Sequence, residues 1–69
     1  MTLGLKKLRE SMNTMGYKEI CEKTGLKRSI LYEWLNGKRD PQSMLMKRAI
    51  EIKRHLGIDL GDWFEEVED

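Results

Sequence analysis

Residues 17–37, YKEICEKTGLKRSILYEWLNG, constrain the fold more than any other part of the chain. Two short helical patterns, residues 17–24 and about 28–36, are separated by only three residues, one of which is Gly25. A glycine adopts the left-handed backbone conformation at no steric cost, so Gly25 predicts a tight turn after the first helix. Two short helices joined in this way have to cross steeply, and their close approach favours a small side chain such as Cys21.

The predicted helix at about 28–36 has two chemically distinct faces. A rotation of about 100° per residue places four apolar side chains on one face: Ile30, Leu31, Trp34 and Leu35. The opposite face is polar or amphipathic and consists of Arg28, Ser29, Tyr32, Glu33 and Asn36. We expect the apolar face, including Trp34, to pack in the core. The polar face carries groups that can read base edges, since arginine pairs with guanine and glutamate accepts a hydrogen bond from cytosine.

The remainder of the chain is also helical in pattern, with no alternating run of branched or aromatic residues that would predict a strand. A first helix is predicted from a Thr2 cap to a break at residues 13–16. A fourth helix is predicted from an Asp40 cap, with Pro41 at its first position, to Gly57. Its apolar stripe consists of Leu45, Ala49, Ile52 and Leu56.

A fifth, short helix is predicted after an Asp59 cap, and it carries Leu60, Trp63, Phe64 and Val67. The expected fold is therefore all-α: one compact five-helix domain over residues 1–69, with a short acidic C-terminal end at 65–69. Three apolar side chains lie off the main stripe of the fourth helix, and each is interpreted either as additional core or as part of a subunit contact: Met44, Met46 and Ile50.

The composition excludes several classes of protein. A chain of 69 residues is near the lower limit for a hydrophobic core, and a catalytic cleft is hard to fit beside that core. One cysteine excludes an internal disulfide, and one cysteine with one histidine excludes an ordinary zinc finger. A charge interrupts every apolar stretch early, so no signal peptide or membrane span is predicted. We expect a cytoplasmic protein that is not an enzyme and has neither metal nor cofactor.

The net charge of +1 conceals a strong asymmetry along the chain. All 13 Lys and Arg residues and six of the 12 acidic residues lie within residues 1–58, which therefore carry +7. The other six acidic residues give residues 59–69 a charge of −6. The basic part predicts a polyanionic partner. The acidic part has three interpretations: it complements the fifth helix's N-terminus, it repels DNA, or it contacts the Lys53 and Arg54 region of a second subunit.

A family resemblance follows from the spacing of Cys21, Gly25, Leu31 and Trp34. The pattern is a small residue, a glycine four positions later, an aliphatic residue six further on, and an apolar residue three after that. It resembles the helix-turn-helix of the lambda-repressor-like (Cro-type, XRE) DNA-binding domains. The following NGKRDP, a fourth helix and then LGIDLGDWF also resemble the end of these domains, so the resemblance covers roughly residues 5–64.

The resemblance implies a DNA-binding role for the third helix, with its N-terminal half against base edges in the major groove. The positions that match the family's base-contacting residues are Lys27, Arg28, Ser29, Tyr32 and Glu33. Those that match its phosphate-contacting residues are Tyr17, Lys18, Asn36, Lys38 and Arg39. In this family the fifth helix commonly forms a twofold dimer contact, which here implies Leu60, Trp63, Phe64 and Val67.

Several positions depart from the family pattern. Tyr17 stands where the family usually has glutamine, and Gly16 occupies the usual Thr or Ser cap of the second helix. Lys27 replaces the usual cap of the third helix, where a positive charge opposes the helix dipole unless a phosphate lies nearby. The fourth helix is longer and more basic than is typical of the family. Whether its basic residues contact DNA is open: Lys47, Arg48, Lys53 and Arg54.

The function expected from these features is that of a sequence-specific DNA-binding transcriptional regulator. A Cro-like phage or mobile-element repressor fits best, acting as a homodimer on a pseudo-palindromic operator in double-stranded DNA, with no small-molecule ligand. The alternative is a helix-turn-helix antitoxin or antirepressor whose main partner is a protein, because one fold serves both functions. An excisionase-like protein would have a β-wing where residues 41–56 instead predict a helix.

Overall fold

The chain folds into four α-helices and two 3-10 turns in a computed structural model that describes residues 1–68. The α-helices are α1 (Leu3–Met15), α2 (Tyr17–Thr24), α3 (Arg28–Leu35) and α4 (Met46–Leu56). The first 3-10 turn is Pro41–Ser43, and the second is Leu60–Phe64. No strand occurs in residues 1–68, and Thr2 and Glu66 form an isolated antiparallel bridge. The expected all-helical, compact architecture is confirmed, but the predicted fifth helix is a 3-10 turn.

Helix α1 begins at the predicted cap and ends later than the sequence suggests. The Thr2 hydroxyl accepts a hydrogen bond from the Leu5 amide at 3.3 Å. The helix then continues through Asn13 to Met15, so of the predicted break at residues 13–16 only Gly16 interrupts the helix. Gly16 ends the helix at a φ of 81°, and its amide donates to the Met12 carbonyl. Asparagine lowers helix propensity only modestly, whereas the positive φ stops the helix at the glycine.

The α2–turn–α3 unit agrees with the sequence prediction to within one residue. Gly25 adopts the left-handed conformation at a φ of 74°, and its amide donates to the Cys21 carbonyl. Thr24 is buried, and its hydroxyl donates to the Ile20 carbonyl at 2.7 Å while accepting from the Leu26 amide at 3.3 Å. This buried hydroxyl therefore links the last turn of α2 to the first residue after Gly25.

The predicted fourth helix is divided in the structure. Asp40 and Pro41 start a helix as expected, with the Asp40 carboxylate accepting from the Gln42 amide at 2.9 Å, but only one 3-10 turn forms. Met44 and Leu45 are extended, and α4 begins at Met46. The Gln42 side-chain amide donates to the Trp63 carbonyl at 2.9 Å and attaches this turn to the second 3-10 turn.

The extended residues change which side chain of this segment enters the core. Met44 packs against the core, whereas Leu45, predicted as the first residue of the buried stripe, is 73% exposed. Ala49 and Ile52 are buried and Leu56 is half-buried, as the stripe predicts. Met46 and Ile50 are exposed. Of the three side chains interpreted either as additional core or as a subunit contact, only Met44 therefore belongs to the core.

The core lies where all of these elements meet. Its buried members are Leu8, Ile20, Leu26, Leu31, Trp34, Ile52, Ile58 and Trp63. Trp34 and Trp63 lie with their ring centroids 5.8 Å apart. Trp63 is only 1% exposed within the single chain, so its assignment to a dimer contact is wrong. The indole fills the space above Gly4, where a β-carbon would overlap the ring.

The C-terminal end pairs with the N-terminus of the same chain. The Leu3 amide donates to the Glu65 carbonyl at 2.7 Å, and the Val67 amide donates to the Met1 carbonyl at 2.9 Å. Val67 therefore lies outside the second 3-10 turn and is half-buried against the chain's own beginning, which corrects its expected place on a fifth helix. No helix within residues 1–68 is long and apolar enough to cross a membrane.

Two ion pairs hold the acidic residues around the second 3-10 turn. Lys7 Nζ lies 2.7 Å from Asp62 Oδ2, and this hydrogen bond holds the pKa of the Asp62 carboxyl below its usual value. Lys53 Nζ lies 3.0 Å from Asp59 Oδ1 in the same chain. One interpretation of the acidic C-terminal part was a contact with Lys53 of a second subunit. In the structure Lys53 contacts an acidic residue of its own chain.

The contact between Gly4 and Trp63 predicts that alanine lowers the stability of the fold at position 4 more than at position 61. We expect Gly4→Ala to lower the free energy of unfolding by about 1–3 kcal/mol, because the new methyl group overpacks the core against the indole. Gly61→Ala is the matched control, since a β-carbon there has no neighbour within 4 Å. Urea unfolding followed by circular dichroism measures both. Equal stabilities of the two variants would contradict the placement of Trp63.

Candidate nucleic-acid interface

Helix α3 has the apolar face and the polar face that the sequence predicts. Leu31 and Trp34 are buried, and Ile30 and Leu35 are half-buried against the core. The polar side chains of α3 and its neighbours are exposed, except for Glu33, which is half-buried. We call this set the α3 surface: Tyr17, Lys18, Lys27, Arg28, Ser29, Tyr32, Glu33, Asn36, Lys38 and Arg39. The core therefore fixes the rotation of α3 and with it the direction of the polar face.

Three residues of the α3 surface form a Tyr–Arg cluster, comprising Tyr17, Arg28 and Tyr32. The guanidinium carbon of Arg28 lies 4.5 Å from the centroid of the Tyr17 ring and 5.5 Å from that of Tyr32. The two ring centroids are 6.0 Å apart at an interplanar angle of 46°. These distances are within the range of cation–π attraction. The cluster joins the first residue of α2 to the first turn of α3.

A second contact within the α3 surface joins Glu33 to Arg39. The Arg39 Nε donates to Glu33 Oε1 at 3.2 Å, and the amides of Lys38 and Arg39 both donate to the Glu33 carbonyl. The loop after α3 is therefore folded back onto the helix end. An exposed ion pair of this kind contributes little to stability and exchanges readily with another partner, so both side chains can still bind a ligand.

The other predicted residues of the α3 surface are exposed without a side-chain partner among residues 1–68. They are Lys18, Lys27, Ser29, Asn36 and Lys38. Gly16 and Lys27 occupy the cap positions of α2 and α3, and neither provides a side-chain cap. The first amides of both helices consequently lack a side-chain acceptor, which is the usual condition for a helix N-terminus that binds a phosphate.

Two arginines bind the C-terminal ends of α2 and α3, a role that the sequence did not predict for either of them. Arg48 Nη1 donates to the Thr24 carbonyl at 3.0 Å, next to Gly25. Arg9 Nη2 donates to the Leu35 carbonyl at 3.2 Å, at the end of α3. A cation at the C-terminal end of a helix is favourable because it satisfies a free carbonyl and the dipole together. These partners lie 24 and 26 positions apart in the sequence, so no local pattern reveals them.

Cys21 lies half-buried at the crossing of α2 and α3 and packs against the core. Burial raises the pKa of its thiol, although the positive charge of Arg28 partly opposes this effect. A raised pKa disfavours the thiolate that nucleophilic or redox chemistry needs. The residue therefore fits the packing role that the sequence suggests.

The basic residues of α4 divide between internal contacts and solvent. Arg48 binds the end of α2, and Lys53 pairs with Asp59. Arg54 and His55 both contact the Glu51 carboxylate, at 3.3 and 3.4 Å. Lys47 is exposed and has no side-chain partner within residues 1–68. Most of the charge on α4 is thus engaged within the chain.

An open groove of about 230 Å³ lies between α3 and the segment that leads into α4. It is lined by Leu26, Ile30, Trp34, Arg39, Ser43, Met44, Leu45 and Arg48. Leu45 is largely exposed at its rim, and Met46 and Ile50 continue the apolar surface onto α4. This groove adjoins the α3 surface through Arg39 but differs from it in being mainly apolar.

Comparison of this chain with protein-family models, curated proteins and solved structures finds no significant match. The likeness to lambda-repressor-like domains consequently rests on the residue pattern of the chain.

The contact of Arg48 with the turn predicts that this residue stabilises the α2–turn–α3 unit. We expect Arg48→Met to lower the free energy of unfolding by about 1–3 kcal/mol, because a charged hydrogen bond is lost while the aliphatic stem is retained. Lys47→Met is the matched control and should change it by less than about 0.5 kcal/mol. Urea unfolding measures both. A control variant as unstable as Arg48→Met would show that the contact contributes nothing.

Proposed function

We propose that this chain is a sequence-specific DNA-binding transcriptional regulator, a Cro-like repressor that inserts α3 into the major groove of operator DNA. The observation that carries the proposal is the orientation of α3. Its apolar face is in the core, and its exposed face carries Arg28 and Ser29 at the N-terminal end of the helix and Tyr32 one turn later. An α-helix fits the major groove, where such side chains can reach base edges.

The charge distribution supports the same proposal. The α3 surface carries five basic side chains and one acidic one, and that acid is paired with Arg39: Lys18, Lys27, Arg28, Lys38, Arg39 and Glu33. Three acidic residues near the C-terminus instead form ion pairs within the chain: Asp62 with Lys7, Asp59 with Lys53, and Glu66 with the N-terminus. The α3 surface is therefore strongly basic, which favours the approach of a polyanion.

Individual roles follow from position on the α3 surface. The base-contacting residues would be Lys27, Arg28, Ser29, Tyr32 and Glu33, and the phosphate-contacting residues Tyr17, Lys18, Asn36, Lys38 and Arg39. A homodimer on a pseudo-palindromic operator remains part of the proposal. Its contact would use Leu60 and Phe64, which are 45% and 59% exposed, rather than the buried Trp63. Such a regulator would act in the cytoplasm, without a metal, a cofactor or an enzymatic activity.

Selection of bound fragments from random duplex DNA tests the proposal. We expect the wild-type chain to select a common sequence with twofold symmetry. Arg28→Ala should weaken binding to that sequence about 5- to 150-fold per subunit, corresponding to about 1–3 kcal/mol for each contact, and remove the preference at one base pair in each half-site. Lys38→Ala should weaken binding to all sequences alike and lower the slope of log K against log salt by about one per subunit.

Lys6→Ala is the control for both variants, because Lys6 is an exposed lysine on α1, outside the α3 surface. Its binding should stay close to that of the wild type in fluorescence-anisotropy titrations. Selection of fragments with no shared sequence would contradict the proposed function. Wild-type preference in the Arg28→Ala variant would contradict the assignment of α3, and a single asymmetric site would contradict the dimer.

A second candidate function is that of an antitoxin or antirepressor whose main partner is a protein. The observation in its favour is the apolar groove with Leu45, Met46 and Ile50 exposed at and beyond its rim. Apolar surface of this kind is a common feature of protein interaction sites. A variant with Leu45→Ser and Ile50→Ser separates the two candidates. It should retain DNA binding if the chain is a repressor, and lose a stoichiometric protein partner if the chain is an antitoxin.

A further inference from the structure

The position of Tyr17 suggests a role other than direct contact with DNA. Arginine is long and flexible, and an exposed arginine at the start of a helix ordinarily samples many rotamers. Here the Arg28 guanidinium lies over the Tyr17 ring, at 4.5 Å from its centroid, and within 5.5 Å of the Tyr32 centroid. Two aromatic rings from two different helices therefore restrict where the guanidinium can be.

The two tyrosines contribute differently to this restriction. Tyr32 is four positions after Arg28 on the same helix, so its contact is a local one within α3. Tyr17 is the first residue of α2, and its ring reaches Arg28 across the turn. The Tyr17 contact thus fixes the guanidinium relative to the α2–turn–α3 unit as a whole and not only relative to its own helix.

The contacts leave the hydrogen-bonding groups of Arg28 open. A cation–π contact uses the flat face of a guanidinium, whereas its N–H groups point outward in the plane. Within residues 1–68, the side-chain N–H groups of Arg28 donate no hydrogen bond. Both tyrosine side chains remain 36% exposed, so the cluster lies on the surface. The geometry is that of a donor held in position for an acceptor that comes from outside.

We infer that Tyr17 is a positioning residue for DNA specificity: its ring, together with that of Tyr32, holds Arg28 so that the guanidinium recognises one guanine in each half-site of the operator. The inference rests on the proposed function and identifies the origin of its base preference. Arginine recognises guanine through paired hydrogen bonds to O6 and N7. Holding the side chain beforehand reduces the conformational entropy lost when these bonds form.

Positioning Arg28 and contacting a phosphate require different chemical groups of Tyr17. A phosphate contact needs the hydroxyl group, whereas a cation–π contact needs only the aromatic ring. Tyr17→Phe retains the ring and removes the hydroxyl, and Tyr17→Leu removes the ring while keeping an apolar, though shorter, side chain. The two variants therefore separate the positioning role from the phosphate role that the family resemblance implies.

The first measurement is the discrimination between two operators. One carries guanine, and the other 7-deazaguanine, at the base pair in each half-site whose preference Arg28→Ala removes. For the wild type we expect the ratio of the two dissociation constants to be about 10 or more, since N7 is one of the two acceptors. Tyr17→Phe, the conservative variant, should retain this ratio, and Tyr17→Leu should reduce it toward one. Thermal unfolding of each variant confirms that it is folded.

The second measurement is independent of DNA. Ring currents should shift the side-chain proton resonances of Arg28 in the NMR spectrum of the free protein. The shift should persist in Tyr17→Phe and be largely lost in Tyr17→Leu. Tyr17→Leu is compared at a temperature well below its unfolding transition, so that a change at Arg28 reports the cluster and not loss of the fold.

Each result supports or overturns the inference. Equal loss of discrimination in Tyr17→Phe and Tyr17→Leu would show that the hydroxyl, and not the ring alone, is required, and would overturn it. Wild-type discrimination in Tyr17→Leu, or unshifted Arg28 resonances in the free wild-type protein, would also overturn it while leaving the proposed function intact. Failure of the wild type to select any DNA sequence would instead overturn the proposed function, and the inference with it.

Discussion

The contact between Trp34 and Trp63 is the interaction on which the rest of the structure depends. The two indole rings lie 5.8 Å apart at the centre of the core, and both are almost completely buried. Trp63 also packs over Gly4 of α1, and its carbonyl accepts a hydrogen bond from Gln42 of the first 3-10 turn. One aromatic pair therefore connects α1, α3 and both 3-10 turns. In a chain of 69 residues, few other contacts can perform this function.

The proposed function depends on this core through the orientation of α3. Because Leu31 and Trp34 are buried, the helix cannot rotate without losing apolar contacts, and its polar face is fixed outward. The turn that precedes α3 is held independently by the Thr24 hydroxyl and by Arg48. Rigid support of this kind is what a base-reading side chain requires, since small displacements break hydrogen bonds to a base edge. The Tyr–Arg cluster extends the same principle from the helix to the side chain of Arg28.

The sequence predicted the α2–turn–α3 unit well because its determinants are local. The apolar spacing and Gly25 specify two helices and a left-handed turn, and the structure places both helices within one residue of the expected bounds. The segment from Asp40 to Leu45 was predicted less well. A cap and a proline identify where a helix starts but not that it stops after one turn. The turn is attached through Gln42 to Trp63, which is 21 positions away, and no local pattern reveals such a contact.

The distinction between local sequence patterns and contacts distant in sequence also explains the other differences between the predicted and the observed structure. Trp63 was assigned to a subunit contact because the fifth helix commonly forms the dimer contact in the family that the chain resembles, whereas here it fills the space left by the missing side chain of Gly4. Ile58 was not predicted in the core, since it follows the end of α4. The residues of the Tyr–Arg cluster were all expected at the interface. Their mutual contact was not expected, because it depends on how α2 crosses α3.

The most direct test of the proposal that α3 reads DNA is amide chemical-shift mapping by NMR on adding the selected operator duplex. The account predicts the largest changes at residues 27–33, with further changes at 17–18 and 36–39. The amides of residues 5–15 should change little, because the core holds α3 without moving. Largest changes at residues 44–50, around the apolar groove, with residues 27–33 unaffected, would contradict the account.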